Sequence, residues 1–134
     1  MIQQECRIAL IDDDVLFHRI VTVLCRRLKK PVQLTHYYHG LEALDEFQQI
    51  HRQNQALPQI LLLDLNMPYM DGWQFLNALK GIPALSGASW NIYICSSSMD
   101  KTDTDRTIEF PFVSGYLTKP ISIAVLESIT ERCS

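Results

Sequence analysis

Apolar and polar residues along this chain form two alternating kinds of segment. Short apolar and β-branched runs bounded by polar or turn-forming residues predict strands, whereas apolar residues that return every three or four positions predict amphipathic helices. The run Ile60–Leu63 is apolar at every position, which is typical of a strand buried on both faces of a sheet. The five predicted strands cover residues 7–11, 32–38, 59–64, 91–96 and 114–119.

The first helix is predicted directly after the first strand. An apolar residue recurs there at every fourth position, at Leu16, Ile20, Leu24 and Leu28. Asp14 stands just before this stretch, and its side chain suits the N-cap position, where it can accept a hydrogen bond from the first turn. Strand and helix thus follow each other without a long connection.

Helical periodicity returns after the later strands, with one weak stretch. Further helices are predicted over 40–51, 73–80 and 121–133, the second of these ended by Gly81 and Pro83. The segment 99–110 carries little apolar periodicity, so its helix is expected to be short or irregular. The small residues of 83–89 predict a loop.

Strands that alternate with helices over short connections are typical of a parallel sheet. Right-handed crossovers place the helices on both faces, which predicts an α/β fold built on a doubly wound five-stranded parallel sheet. The 134 residues show no internal repeat and no interdomain linker, so we expect a single domain over 1–134.

Composition narrows the class of protein. Hydrophobic residues make up 47% and charged residues 20% of the chain, and no apolar run approaches the roughly 20 residues that cross a bilayer. The first residues lack the order of a secretory signal, which predicts a cytoplasmic protein. The net charge is −3, and the basic cluster at 26–30 falls at a predicted helix end, so nucleic-acid binding is disfavoured.

The four cysteines, Cys6, Cys25, Cys95 and Cys133, are far apart in the chain and form no C-x-x-C pair. In a cytoplasmic protein this spacing predicts reduced thiols, mostly in the core. A disulfide is the less favoured alternative.

Chemically capable side chains stand at the ends of four predicted strands. Asp12 and Asp13 follow the first strand, and Asp64, Ser96 and Lys119 end the third, fourth and fifth. Because ligand sites in open α/β sheets lie beyond the carboxyl ends of the strands, we expect these groups to meet at one edge. Each alone has a plainer interpretation as a helix cap, a turn or a solvated loop residue. Their joint occurrence favours a functional site.

The chemistry of this set indicates phosphoryl transfer. Neighbouring carboxylates repel one another, so the cluster requires protons or a cation, and Mg²⁺ suits an all-oxygen set completed by water. An ammonium and a hydroxyl beside the carboxylates can bind phosphoryl oxygens. We therefore predict that Asp64 acts as a nucleophile toward phosphorus while the metal neutralises developing charge.

The histidines and the serine run are weaker candidates. His36 and His39 have i, i+3 spacing but no third ligand nearby, so a metal site there is disfavoured. His18 and His51 lie on predicted helices, and we expect them at the surface or its boundary. The run Ser96–Ser98 has no G-x-S-x-G frame, which disfavours a serine hydrolase, and no glycine-rich nucleotide loop is present.

Four motifs together resemble one known family. "ALIDDD", "LLLDLNMPYMDG", "CSSS" and "GYLTKP" occur in this order at the predicted strand ends, and the resemblance runs from Arg7 to the last helix. The chain is similar to the receiver domain of two-component response regulators, also called CheY-like. The resemblance implies a flavodoxin-like fold with strand order 2-1-3-4-5, and an aspartate after the third strand that accepts a phosphoryl group from a partner's phosphohistidine.

The resemblance also implies a ligand set. Asp64 corresponds to the phosphoacceptor, and Asp13 to a direct Mg²⁺ ligand, with Asp12 beside it or acting through water. The backbone carbonyl of Asn66 corresponds to the remaining protein ligand. On this basis the metal site comprises Asp12, Asp13, Asp64 and Asn66.

Further positions match the switch of that family. Ser96 corresponds to the hydroxyl residue that contacts the phosphoryl group and moves on activation, and Lys119 to the lysine that pairs with the phosphoryl oxygens. Pro120 implies a cis peptide, and Tyr116 matches the aromatic switch residue. The chain departs from the usual pattern in its serine run and in the polar segment 99–110, so an output role of the fourth-helix face and Tyr116 is the least supported expectation.

We therefore expect a stand-alone receiver domain, monomeric or weakly dimeric, that is phosphorylated by a histidine kinase or a histidine phosphotransfer protein. It would signal by protein–protein interaction or by phosphorelay, and would not be an enzyme beyond self-phosphorylation from small donors and self-dephosphorylation. One alternative is an aspartyl-phosphate phosphatase of the haloacid dehalogenase type, although Asn66 stands where that family has its general acid. The other is a receiver-like interaction module that works without phosphorylation.

Overall fold

Five parallel strands form one sheet in the computed structural model, which describes residues 5–133; the predicted domain limits at 1 and 134 lie outside the described residues. The strands are β1 (Cys6–Ile11), β2 (Val32–Tyr37), β3 (Ile60–Asp64), β4 (Asn91–Ser96) and β5 (Val113–Thr118). Their order across the sheet is β2-β1-β3-β4-β5, and every neighbouring pair is parallel. The predicted fold class and strand order are confirmed.

Helices cover both faces of this sheet. They are α1 (Val15–Arg26), α2 (Gly40–Arg52), α3 (Gly72–Lys80), α4 (Pro83–Ser86), α5 (Lys101–Arg106) and α6 (Ile123–Thr130), with a 3₁₀ turn at Thr107–Glu109. Side chains of α1 and α6 pack in one buried cluster, and those of α2, α3 and α4 pack in the other. None of the helices in the described part of the chain is long and apolar enough to cross a membrane.

Strand β3 lies in the centre of the sheet, and this position explains why its sequence is continuously apolar. Every residue of β3 is buried, because helices cover the sheet on both sides. Leu61 and Leu63 belong to the cluster beneath α2 and α3, while Ile60 and Leu62 belong to the cluster beneath α1 and α6. Successive side chains of a strand point to opposite faces, so an apolar run without polar gaps is what a strand between two helical layers requires.

Helix α1 forms where predicted, but only part of the apolar set that indicated it packs against the core. Asp14 caps the helix by accepting a hydrogen bond from the Leu16 N–H at 2.9 Å, as predicted. Leu16 and Ile20 are 63% and 40% exposed. Leu24 and Leu28 are partly buried and pack against the cluster to which Phe17, Val21 and Cys25 belong. Apolar residues occur on both sides of this helix, so spacing alone did not identify the side that meets the sheet.

Two further predictions are wrong. The segment 83–89 is not purely a loop, since Pro83–Ser86 forms the one-turn helix α4 with proline at its first position, where a missing N–H is harmless. His18 is not a surface residue: only 2% of it is exposed. His51, in contrast, is exposed as expected.

The cysteines are not all reduced as predicted. Cys6 and Cys133 form a disulfide, whereas Cys25 and Cys95 are free and buried. β1 begins at the amino edge of the sheet, and α6 runs back to that edge after crossing the face. Residues 127 positions apart in sequence therefore come within 5.6 Å between Cα atoms. The spacing of the cysteines in the sequence does not indicate that Cys6 and Cys133 lie close together.

Candidate functional site

The side chains that end four strands meet at the carboxyl edge of the sheet. Asp12 directly follows β1, Asp64 and Ser96 are the last residues of β3 and β4, and Lys119 directly follows β5. Asp12, Asp64 and Ser96 are all buried, at 0%, 4% and 1% exposure. Polar groups are rarely buried without partners, so we expect these three side chains to have hydrogen-bonding or charged partners at this edge.

Three carboxylates form the acidic part of the site. Asp12, Asp13 and Asp64 each offer an oxygen, and these oxygens lie within 4.8 Å of one another. Asp12 and Asp64 are buried, whereas Asp13 faces solvent. Oxygen donors with open access to water on one side are the set that Mg²⁺ prefers, so the residues present fit that ion by their chemistry.

Lys119 supplies the positive charge of the site. Its Nζ donates to Asp12 Oδ2 at 2.7 Å and to Asp64 Oδ1 at 3.3 Å, and 17% of its side chain is exposed. Burial by itself lowers the pKa of Lys119, but the hydrogen bond to Asp12 and the charges of both carboxylates outweigh it and raise the pKa above its usual value. The lysine is therefore held in its charged form between the two buried carboxylates.

Asp64 ionises less readily than a free aspartate. Burial, followed by the nearby charge of Asp12, raises its pKa from 3.8 to about 6. Lys119 and the backbone N–H of Asn66, which donates to Asp64 Oδ1 at 3.3 Å, act in the opposite direction. One ammonium thus compensates the two buried carboxylates incompletely, which is the condition that a divalent cation would relieve.

The backbone around Asp12 is held by contacts that the sequence did not indicate. His18 Nε2 lies 2.7 Å from the carbonyl oxygen of Asp12, and since a carbonyl only accepts, this nitrogen carries the hydrogen. His18 Nδ1 also forms a hydrogen bond with His36 Nδ1, at 2.7 Å. Burial, and then the neighbouring His18, lower the pKa of His36, which favours the neutral form of His36. The pairing unites His36 with His18 and not with His39.

The loop after β3 brings α3 close to Asp64. The Gly72 N–H donates to the Leu65 carbonyl at 2.9 Å, and a Cβ atom added at Gly72 would lie 2.6 Å from the Asp64 carbonyl oxygen. Only glycine permits this approach, because real Cβ atoms do not come closer than about 3 Å to backbone. Asn66 lies at the start of this loop and is exposed, so it is open to the same solvent as Asp13.

Ser96 is turned toward its own loop. Its hydroxyl donates to the Ser98 carbonyl at 2.8 Å and accepts from the Ser98 N–H at 3.3 Å. The Lys119 N–H donates to the Ser96 carbonyl at 2.8 Å, which joins the ends of β4 and β5, and the Lys119–Pro120 peptide is cis. Ser96 therefore lies at the edge of the site, and both of these hydrogen bonds of its hydroxyl are made within a local turn.

The predicted switch region is largely exposed. Tyr116 lies on β5 opposite Ile94 and is 50% exposed. Helix α5 has six residues, none of them buried, and continues as the 3₁₀ turn. The sequence predicts a short or irregular helix in this segment, and α5 is short. Its N-cap is Asp100, whose side chain accepts from the Asp103 N–H at 2.8 Å.

Comparisons with known proteins agree with this arrangement. The family model described as response regulator receiver domain matches residues 8–131. The chain is 32% identical to a protein-glutamate methylesterase/protein-glutamine glutaminase of Desulfotalea psychrophila over 61% of its length, and 28% identical to the sensor histidine kinase CheAY of Helicobacter pylori over 91% of its length. It spans only 21% and 14%, respectively, of those two proteins.

The fold has close counterparts among solved structures. The crystal structure of a two-component response regulator from Cytophaga hutchinsonii superposes with a TM-score of 0.85, covering 96% of this chain and 97% of that one. The sequence identity is 22%, so this likeness concerns the fold alone.

Proposed function

The chain belongs to the response regulator receiver domain family, and we propose that it is a phosphorylation-dependent switch whose phosphoacceptor is Asp64. Receiver domains are signalling domains rather than enzymes. The observation that carries the assignment of Asp64 is its position: a buried carboxylate at the end of the central strand, 3.3 Å from the Lys119 ammonium and within 4.8 Å of two further carboxylates.

The chemistry is a transfer from nitrogen to oxygen. A carboxylate oxygen of Asp64 attacks the phosphorus of a partner's phosphohistidine, the P–N bond breaks, and the imidazole nitrogen keeps the electron pair and later takes a proton. The strand that carries Asp64 is buried along its whole length, which restricts the motion of the nucleophile. The Lys119 ammonium, already directed at Asp64 Oδ1, can shift to a phosphoryl oxygen as charge develops there.

Receiver domains typically bind Mg²⁺ at an acidic pocket. In this chain the carboxylates of Asp12, Asp13 and Asp64, together with the backbone carbonyl of Asn66, would hold the ion. When bound, it supplies positive charge beside the phosphoryl oxygens. The protein by itself contributes only Lys119 there, and the raised pKa of Asp64 supports the need for a second cation.

Ser96 and Tyr116 are the proposed elements of the switch. For the Ser96 hydroxyl to donate to a phosphoryl oxygen, it has to leave the Ser98 carbonyl, which would release the turn after β4. Tyr116 is exposed enough to turn inward when that turn moves. The cost of breaking one hydrogen bond in a turn is small, about 1 kcal/mol, so phosphorylation can shift this equilibrium.

A partner that delivers the phosphoryl group has to cover the carboxyl edge. The apolar side chains of Val15, Leu16 and Ile20 on α1 are exposed beside that edge, at 53%, 63% and 40%. We propose that they contact the histidine kinase or phosphotransfer protein, because a cluster of exposed apolar residues next to a site is typical of a protein-binding surface. Signalling by protein binding or by phosphorelay, and the cytoplasmic location, stay predictions.

A different observation argues against each of the two alternative functions. Membership of the receiver family sets aside a haloacid dehalogenase phosphatase. A module that works without phosphorylation is opposed by the complete set of Asp12, Asp13, Asp64 and Lys119 at one edge, since a purely adhesive surface has no use for buried carboxylates, which oppose folding unless they are compensated.

The test is labelling with acetyl phosphate, with and without Mg²⁺, followed by intact-mass spectrometry. We expect one phosphoryl adduct that requires Mg²⁺, is labile, and is lost in Asp64→Asn. Asp45→Asn is the matched control, because Asp45 is exposed on α2 away from the site. An adduct that persists in Asp64→Asn, or labelling that ignores Mg²⁺, would overturn the assignment.

A further inference from the structure

Lys119 has a third contact besides its two carboxylates. Its Nζ lies 4.4 Å from the centroid of the Phe17 ring, over the face of that ring. This is the shortest of three cation–π contacts among the described residues, the others being Arg106 over Trp73 at 4.8 Å and Lys80 over Phe110 at 5.7 Å. The Phe17 side chain is buried, with 6% exposed.

The three contacts together match the three hydrogens of an ammonium group. Two N–H bonds are used by Asp12 and Asp64, which leaves one for the ring face. The face of an aromatic ring carries negative potential, so it compensates a desolvated cation where an aliphatic side chain of the same size would not. Without the ring, solvent would be the better partner for the third N–H, and the flexible lysine chain allows Nζ to turn toward it.

We propose that Phe17 is a positioning residue that holds the Lys119 ammonium over the site through its ring face. A cation–π contact depends weakly on direction, so Nζ can exchange Asp64 for a phosphoryl oxygen while it stays over the ring. The consequence for phosphoryl transfer rests on the proposed function of Asp64, whereas the hold on Lys119 does not.

The first test uses fluorinated phenylalanines placed at position 17 by site-specific incorporation. Added fluorine withdraws charge from the ring face and leaves the shape of the side chain nearly unchanged. We expect the acetyl phosphate labelling rate to fall step by step with the number of fluorines at position 17, and Phe17→Leu to be about 5- to 30-fold slower. The same series at Phe75, fully buried in the other cluster, is the control and should give a constant rate.

The second test does not depend on phosphorylation. Ring currents of Phe17 should move the Lys119 Hε and Cε resonances upfield in the NMR spectrum relative to exposed Lys101, and Lys119→Arg identifies the peak. In Phe17→Leu the upfield shift should vanish, and a temperature series should show greater mobility of the Lys119 side chain. Phe17→Tyr should restore both the shift and most of the labelling rate.

The outcomes separate the two proposals. Absence of the ring-current shift in the unmodified protein, or a labelling rate that is constant along the fluorine series at position 17, overturns the role of Phe17. If the unmodified protein takes no phosphoryl group at all, the function proposed for Asp64 fails, and the Lys119 resonances still decide whether Phe17 holds the ammonium.

Discussion

The carboxyl edge and the amino edge of the sheet differ in the groups that they bring together. At the carboxyl edge, Asp12, Asp64 and Lys119 bring charge into the interior, and the two ion pairs of Lys119 compensate part of it. At the amino edge, the Cys6–Cys133 disulfide links β1 to the segment that follows α6, and the Lys30 ammonium donates to the Cys133 carbonyl. One edge concentrates ionisable groups, and the other is closed by a covalent link.

The amino edge contributes mainly to stability, whereas the carboxyl edge holds the candidate site. The amino edge carries the disulfide and the Lys30 contact, which hold the two ends of the described chain together. The carboxyl edge holds buried like charges, which oppose folding but prepare a site for a cation and a phosphoryl group. Changes at the amino edge should therefore alter stability alone, whereas changes at the carboxyl edge should alter both stability and labelling.

The largest stability effect is expected at the amino edge. Replacing both cysteines, Cys6→Ser with Cys133→Ser, should lower the free energy of unfolding of the oxidised protein by about 2–4 kcal/mol, because the link closes a long loop in the unfolded chain. Urea unfolding measures the loss. With dithiothreitol present, the unmodified protein and the variant should become alike. A fall in acetyl phosphate labelling in the variant would contradict the separation of the two edges.

The next effect concerns Lys119. In Lys119→Met the two buried carboxylates lose their cation, so the free energy of unfolding at pH 8 with EDTA should fall by about 2–3 kcal/mol. At pH 5 the loss should shrink, because Asp64 with a pKa of about 6 then carries a proton. Lys101→Met, at an exposed position of α5, is the control and should change little. An equal loss at both pH values would show that charge is not the cause.

A smaller effect of opposite sign is expected for Asp64→Asn. The folded protein holds the Asp64 proton more tightly than the unfolded chain, so unfolding releases it between about pH 4 and pH 6, and stability falls as pH rises through that range. Above pH 6 the variant should therefore be more stable than the unmodified protein by about 1–2 kcal/mol in EDTA. Urea unfolding from pH 4 to pH 8 checks this.

Mg²⁺ provides the control for that measurement. It should stabilise the unmodified protein above pH 6 and have a weaker effect on Asp64→Asn, which lacks one of the three carboxylates. A variant that is less stable than the unmodified protein at pH 8 in EDTA would mean that the ion pair with Lys119 outweighs the burial of Asp64.

The smallest effect concerns the helix cap at the carboxyl edge. Asp14→Ala removes the acceptor for the Leu16 N–H and should lower the free energy of unfolding by about 1 kcal/mol, with labelling changed by less than two-fold. Ser122→Ala, which removes the equivalent cap of α6, is the matched variant. A large loss of labelling in Asp14→Ala alone would place the Asp14 carboxylate within the site, against its role as a cap.

Much of the fold could be predicted because its signals are local. Apolar runs of five or six residues with turn residues between them are sufficient to identify strands, and the continuous run of β3 already indicates a strand covered on both faces. The same applies to the Asp14 cap and to the weakness of α5, since both depend on residues only a few positions apart. The one-turn helix α4 escaped because four residues are too few for a period to be recognised.

The principal residues of the site were predictable for a topological reason. All strands of a parallel sheet end at one edge, so the residues that follow apolar runs meet there whatever their separation in sequence. Asp12, Asp64 and Lys119 are brought together by this rule. The topology of the sheet does not determine which side of a helix faces the strands. The burial of His18 and the contact of Phe17 with Lys119 were therefore not predicted.

The sequence by itself therefore determined the order of strands and helices, the helix cap at Asp14 and the set of charged residues at strand ends. Only the tertiary structure decided which face of α1 is buried, that His18 pairs with His36, that Phe17 covers Lys119, and that Cys6 meets Cys133. The physical reason is that periodicity records local backbone geometry, whereas these contacts arise when separate elements pack, and packing depends on the shapes of both partners at once.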